Sequence, residues 1–293
     1  MSFHASGSLP PRKITHWSLR EKKQRGEPIT ALTAYDYPTA RLIDEAAIDV
    51  ILVGDSVAMA VLGYDSTLPL TMDEILHHAR AVRRGVKSAL LVVDMPYGSY
   101  HTTDDEAVRN ALRLVQQGGA EAVKLEGGAQ RAPLVERLTR AEIQVVGHIG
   151  LTPQSVYRMG GYRVQGRAIP EITQLINDAA ALEAAGAIAL ILEGIPREVA
   201  ARITAAAGIP TIGIGAGPEC DGQILVFHDL VQLGFGSPAK FVRPFADLGA
   251  ATRDALDQYR HAVESRTFPS DAESYHLAAA VRAELEHPEL QSI

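Results

Sequence analysis

The chain has 293 residues, 46% hydrophobic and 22% charged, with one cysteine (Cys220) and a formal net charge of -7. That length supports one large α/β domain or two medium ones with a substantial core, and the acidic balance argues against nucleic-acid binding. A lone cysteine cannot form an internal disulfide, no apolar run reaches the roughly 20 residues of a membrane span, and the N-terminus lacks a secretory signal's apolar core, so the expectation is a soluble cytoplasmic protein.

The basic stretch from Lys13 to Arg25 reads as a surface helix. Ile29 to Ala34 reads as a first strand, ending at Tyr35-Asp36-Tyr37-Pro38, and Thr39 to Ala47 has helical spacing. Val50 to Val53 is a short, mostly β-branched run, the mark of a strand buried on both faces of a parallel sheet, and it leads into Gly54-Asp55-Ser56. Thr71 to Glu74 opens a helix with acidic residues in its first turn, running to about Arg84. Ala89 to Val93 is the third strand, ending at Asp94, and a helix from about Thr103 to Gln117 stops at Gly118-Gly119. Ala122 to Leu125 is the fourth strand, carrying Lys124 and ending in Glu126-Gly127-Gly128. A helix over Ala132 to Arg140 precedes a fifth strand, Ile143 to Val146, which ends in Gly147-His148-Ile149-Gly150. The polar, glycine-rich segment Thr152 to Arg167, with Arg158, Arg163 and Arg167, reads as a loop that covers the site. Helix Glu171 to Ala185, strand Ala187 to Leu192 with Glu193 at its end, helix Arg197 to Ala207 and strand Pro210 to Ile214 follow. Ile224 to Phe227 is the eighth strand, and helices are expected over Asp247 to Glu264 and Asp271 to Glu286.

Eight strands alternating with helices, with no linker that divides the chain, predict a single (β/α)8 TIM barrel over 1–293. Its core spans about 28–246, with an N-terminal helical segment and C-terminal helices over about 247–293. A doubly wound open sheet is the competing architecture, but it would gather ligands at one switch point. Here polar residues end nearly every strand: Asp36, Asp55, Asp94, Glu126, His148 and Glu193. In a barrel they converge on one mouth.

Asp55, Asp94 and Glu126 end successive strand units, and gathered without a counter-ion they would repel. A hard divalent cation such as Mg²⁺ resolves that conflict; the plain alternative is that each carboxylate caps the helix that follows. Lys124 and Glu126, two residues apart, point to the same side of their strand, so Lys124 can pair with Glu126, offset charge on an anionic substrate or a developing enolate, or do both. Glu193 is a candidate general base or a structural pair, and His148 either catalytic or a hydrogen-bonding support. Gly213-Ile214-Gly215-Ala216-Gly217 lacks dinucleotide-site spacing and fits a tight turn at the barrel rim.

These residues lie in blocks that closely resemble the ketopantoate hydroxymethyltransferase family. The matching blocks are Thr33 to Tyr37, Leu52 to Ser56, Asp65 to Pro69, Val123 to Gly128, Gly147 to Ser155, Gly160 to Tyr162 with Val164 to Arg167, Ile212 to Gly217 and Asp221 to Val226. The resemblance covers roughly Thr30 to His276, and the tail from Leu277 lies beyond the usual family end. It implies transfer of a hydroxymethyl group from 5,10-methylenetetrahydrofolate to 3-methyl-2-oxobutanoate, giving 2-dehydropantoate for pantothenate biosynthesis through a Mg-stabilised enolate. It further implies Mg²⁺ on Asp55, Asp94 and Glu126, substrate contacts from Asp55, Ser56, Asp94 and Lys124, proton transfer by Glu193, and a homo-oligomer, typically a decamer. The sequence departs from the family around Met95-Pro96-Tyr97 and Glu193 to Pro196, and by two extra residues between Tyr100 and Lys124. The rival readings are a Mg-dependent carbon–carbon lyase or aldolase on another 2-oxo acid, and a catalytically silent metal- or folate-binding barrel.

Overall fold

The computed structural model describes residues 12–236 and 238–285. Short aliphatic runs, each stopped by a polar residue or a glycine, form eight parallel strands: β1 (Ile29–Thr33), β2 (Val50–Val53), β3 (Leu90–Asp94), β4 (Ala122–Glu126), β5 (Val145–Gly150), β6 (Ala189–Glu193), β7 (Thr211–Ile214) and β8 (Gly222–Leu225). They pair in sequence order and close into a barrel when β8 meets β1, with Ile29 opposite Gly222. That closure needs a glycine, because a Cβ on residue 222 would stand 2.5 Å from the Ile29 carbonyl oxygen.

The helices are α1 (His16–Arg25), α2 (Tyr37–Glu45), α3 (Val57–Ala60), α4 (Met72–Gly85), α5 (Asp104–Gly118), α6 (Ala132–Arg140), α7 (Val156–Met159), α8 (Ile169–Ala184), α9 (Arg197–Ala206), α10 (Phe227–Leu230), α11 (Leu248–Glu264) and α12 (Ala279–Leu285). Their starts follow from side-chain caps. Thr71 and Glu74 form a reciprocal capping box on α4, Thr103 caps α5 and Asp36 caps α2.

Two apolar layers hold the barrel. Inside, Ala31, Val50, Leu52, Val92, Val146 and Ile191 meet as small and branched side chains, and outside, α4, α5 and α8 bury Leu76, Leu114 and Leu182 against the strands. The expected surface helix at the N-terminus is α1, and it also stoppers the barrel. Leu19 is buried in the interior layer, while Lys22 and Lys23 pair with Asp49 and Asp221 at 2.7 Å. Burying that leucine contributes about 2 kcal/mol.

Most boundaries move by one or two residues, and three differences bear on the reading. Strand β5 runs on through Gly147-His148-Ile149-Gly150, because these residues pair with β6 up to Gly150 opposite Glu193, so His148 lies within a strand rather than after one. Strand β8 starts two residues before Ile224, and Phe227 with His228 and Asp229 belongs to α10. The helix expected over Asp271 to Glu286 is broken. Ser270 and Glu273 cap a single 3-10 turn at Asp271–Glu273 and the Ser274 hydroxyl donates back to the Ser270 carbonyl, so local side-chain bonds compete with helix propagation until Ala279. Glu286 lies outside the described residues.

The barrel occupies one compact unit, ending with Leu230 and Gly234–Phe245; Val231–Leu233 and the chain from Ala246 make a second. In that second unit Asp247 caps α11 through the Ala250 amide. Among the described residues no helix is long and apolar enough to cross a membrane.

Candidate active site

Strand register assembles the site. Asp94, the last residue of β3, lies opposite Lys124 of β4; Glu126 lies opposite His148 of β5; and Gly150 lies opposite Glu193 of β6. Asp55 and Ser56 follow β2 at the same end. Asp55, Asp94, Lys124, Glu126 and His148 are all at most 5% exposed, while the Glu193 side chain keeps 16% of its surface open. Of the six polar strand ends, Asp36 is the exception: it is exposed and spends its carboxylate on the Thr39 amide as a helix cap.

Asp55, by contrast, makes no helix-capping bond. Its backbone N–H donates to Asp94 Oδ2 at 2.8 Å, and its Oδ2 accepts from Gln154 Nε2 at 2.9 Å. Lys124 Nζ stands 3.1 Å from Asp94 Oδ1. The lysine therefore pairs with Asp94 across the β3–β4 register rather than with Glu126, its neighbour on the same strand. Glu126 Oε2 accepts the Gln154 backbone N–H at 3.0 Å, whereas Glu126 Oε1 and Asp94 Oδ1 make no well-directed hydrogen bond. His148 lies between two carboxylates, with Nδ1 3.5 Å from Glu126 Oε1 and Nε2 3.3 Å from Glu193 Oε2. Lys124 Nζ is also 3.2 Å from His148 Nδ1, a contact that works against charge on the ring and opposes the two carboxylates.

Burial dominates the electrostatics. It pushes the Asp94 carboxyl up to about 7, with Lys124 pulling the other way and Asp55 adding to the rise. Asp55 is raised as well, by burial first and then by Glu126. Burial would lower Lys124, but Asp94, Asp55 and Glu126 outweigh it and hold the ammonium charged. At His148, burial and Lys124 oppose the charge, yet Glu126 and Glu193 raise the imidazole to about 9. Four carboxyl groups thus face at most two cations, and burial pushes two of the four, Asp55 and Asp94, towards holding a proton.

Three residues outside the sequence-derived set complete the site. Gln154, buried at the root of the segment after β5, binds Asp55 and the Met95 carbonyl through Nε2 and accepts the Tyr100 hydroxyl through Oε1. The Tyr100 hydroxyl accepts the Glu126 amide in turn. The buried Tyr35 hydroxyl meets Ser56 Oγ at 2.7 Å. The segment Thr152 to Arg167 is not all loop: a 3-10 turn at Pro153–Ser155 and α7 shape its first half, and its second half is tied by the Gln165 amide to the Gly194 carbonyl. The Gly215-Ala216-Gly217 run is a turn at the end of β7.

The donor set suits a hard cation: carboxylate oxygens only, two of them lacking a directed partner, and more carboxyl groups than cations. It is not a finished cage, since among the described residues no three Asp, Glu, His or Cys side chains are already gathered as a metal site. Mg²⁺ ordinarily keeps waters or substrate oxygens in several positions, so an open carboxylate set fits it.

Residues 13–271 match the ketopantoate hydroxymethyltransferase family. The chain belongs to that family. It is 61% identical over 274 residues to 3-methyl-2-oxobutanoate hydroxymethyltransferase of Koribacter versatilis, covering 94% of this chain and 93% of that one. The protein of the same name from Thermoanaerobacter sp. is 50% identical, over 90% of this chain and 97% of its own length. Membership makes this chain an enzyme. Among solved structures, phosphonopyruvate hydrolase in complex with oxalate and Mg²⁺ superposes with a TM-score of 0.58 at 15% identity, covering 94% of each chain. A 2,3-dimethylmalate lyase gives 0.55 at 16% identity, over 94% of this chain and 96% of that one. At such identities these neighbours share the family's fold.

Proposed function

We propose that the chain transfers a one-carbon unit from 5,10-methylenetetrahydrofolate to 3-methyl-2-oxobutanoate, giving 2-dehydropantoate in pantothenate biosynthesis. Supporting this reading are the family's name and relatives, and above all the buried carboxylate set beside Lys124, with Asp94 Oδ1 and Glu126 Oε1 left without a directed hydrogen bond. Asp55, Asp94 and Glu126 would hold Mg²⁺, which when bound supplies Lewis-acid polarisation of the 2-oxo group and balances the buried charge.

The chain's own residues do the rest. Ser56 Oγ, fixed by the Tyr35 hydroxyl, hydrogen-bonds the substrate's carboxylate. Lys124, kept charged by three carboxylates, stabilises negative charge developing on the keto oxygen. Glu193, the most open of the four carboxylates, takes the proton from the carbon beside the ketone, with His148 Nε2 standing 3.3 Å from its Oε2. The resulting enolate carbon bonds the folate's methylene carbon. Overall that carbon exchanges two C–N bonds for one C–C and one C–O bond; water supplies the oxygen and tetrahydrofolate leaves. The reading carries the cytoplasmic location expected from the sequence and the homo-oligomeric, decameric assembly that the family resemblance implies.

Proton exchange tests the reading without folate. In D₂O with Mg²⁺ the enzyme exchanges the C3 proton of 3-methyl-2-oxobutanoate, chelator stops the exchange, and Glu193→Gln slows it by about 10²-fold or more. Exchange indifferent to chelator and to Glu193→Gln would sink the assignment.

A further inference from the structure

A cleft of about 390 Å³ lies outside β4 and β5 at their C-terminal ends, against the first half of α8. None of its lining belongs to the carboxylate set. Its apolar lining includes Ile149, Met159 and Leu175, and its polar lining Gln130, Gln174, Asp178 and Glu171, the last accepting the Arg167 amide at 2.8 Å. An apolar slot with hydrogen-bonding groups at its edges suits a flat, polar-edged heteroaromatic ring.

Asp178 is the unusual member. It is only 9% exposed, and its Oδ1 accepts the Ala129 backbone N–H at 2.8 Å and Gln174 Nε2 at 2.9 Å. Its Oδ2 makes no hydrogen bond among the described residues. The chain comes so close that a Cβ on Gly128 would lie 1.9 Å from Asp178 Cγ, so glycine is needed to seat the carboxylate against this loop. Arg158, exposed on α7 at the edge of the cleft, has no ion pair among the described residues.

The cleft adjoins the reacting centre. Gly150, in its wall, is the register partner of Glu193, and the Gln165 amide, also in the wall, donates to the Gly194 carbonyl at 2.9 Å. Thr152, a further wall residue, is two positions from Gln154, which touches both Asp55 and Glu126.

We propose that this cleft seats the pterin ring of the reduced folate, with Asp178 Oδ2 accepting from the ring's 2-amino edge and Arg158 meeting its glutamate arm. The proposal rests on the folate-dependent reading above. A pterin presents adjacent N–H donors on one edge, which a free carboxylate oxygen matches, and a carbonyl that the carboxamides of Gln130 or Gln174 can reach. The folate's glutamate is dianionic and calls for a cation where the cleft opens. A ring seated here lies against Gly150, the register partner of Glu193.

The test titrates tetrahydrofolate and 6-methyltetrahydropterin, anaerobically, into the unaltered protein and into Asp178→Asn and Arg158→Ala by calorimetry. Asp178→Asn keeps the Oδ1 acceptor and turns the free oxygen into a donor, so it weakens both ligands by about 10- to 100-fold, as expected for a lost charge-assisted hydrogen bond. Arg158→Ala weakens tetrahydrofolate up to about 5-fold, the range of an exposed ion pair, and leaves the pterin unaffected. Unchanged affinity in an Asp178→Asn protein with a native thermal transition overturns the proposal. Should that variant not fold, undiminished tetrahydrofolate binding by Arg158→Ala overturns it. Chelator-sensitive C3 exchange by the unaltered protein separates the two ideas: if it persists while the binding results fail, the cleft is wrong and the enolising site stands.

Discussion

Replacing Gln154 by leucine tests how the site is held together. The side chain fills a buried position and makes three hydrogen bonds: to Asp55, to the Met95 carbonyl and from Tyr100. Removing the carboxamide loses two neutral bonds at about 1 kcal/mol each and one to a carboxylate at about 2 kcal/mol. The leucine's apolar burial offsets about 1.5 kcal/mol. The net loss is about 2.5 kcal/mol, or about 5 °C in Tm at roughly 2 °C per kcal/mol for a chain of this size. The backbone bond from residue 154 to Glu126 survives, so the fold persists while Asp55 loses its orienting donor. Loss of such an orienting partner weakens metal binding by about 10- to 100-fold. Thermal unfolding followed by circular dichroism, with and without a Mg²⁺ titration, measures both effects. A Tm within about 1 °C of the parent and an unchanged Mg²⁺ midpoint would show that Gln154 fills space and organises nothing.

Mg²⁺ at about 100 times its Kd should stabilise the protein by about 2.7 kcal/mol, and Asp55→Asn should remove that shift without lowering the metal-free Tm. Since burial disfavours the Asp55 charge, a metal-free Asp55→Asn protein less stable than the parent would contradict the assignment. The metal-free protein should lose stability as pH rises from about 6 to about 9. Asp94 is raised to about 7 and His148 to about 9, so the native state binds more protons than the unfolded chain throughout that window. The carboxyl's destabilisation sets in as pH climbs, and the imidazolium's stabilisation, complete below its unfolded value, fades as pH passes through about 9. Urea midpoints that stay flat or rise with pH would refute this. Gly222→Ala should open the β1–β8 seam at a cost of about 1–3 kcal/mol, seen as a lower urea midpoint with the slope retained. An unchanged midpoint would mean that the Ile29 backbone yields freely.

Much of this was legible in the sequence, because a barrel strand is both buried and brief. Val50 to Val53 announces itself, and the polar residue after it is delivered to the mouth whatever the helices do. That logic located Asp55, Asp94, Lys124, Glu126, His148 and Glu193. It could not tell Asp36 from Asp55, since both precede helices; the distinction came from whether an amide three residues on was free to be capped. It paired Lys124 with Glu126 by proximity along one strand, whereas the β3–β4 register sets it against Asp94. Gln154 fell within the family-matching block Gly147 to Ser155 but in a stretch read as polar loop, and the local signal for its placement was the Pro153 before it, a start for a 3-10 turn. Tyr35 and Tyr100 reach the site by tertiary closure, which no local pattern records.

The position of Lys124 sharpens what the site is built to do. The interior below it is a stack of small and branched apolar side chains sealed by Leu19, and Lys124 lines the internal space above that stack. A lysine there gives up hydration that nothing below can replace. It is held by carboxylates from β3 and β4 and from the turn after β2, and these in turn depend on the lysine for part of their compensation. Were the cluster only structural, an apolar set of equal volume would serve as well or better. The surplus of carboxylates over cations gains nothing for the folded chain on its own. On the proposed function it would become favourable once a divalent cation and an anionic substrate occupied the mouth, the metal balancing the carboxylates and Lys124 meeting the negative charge that the reaction develops.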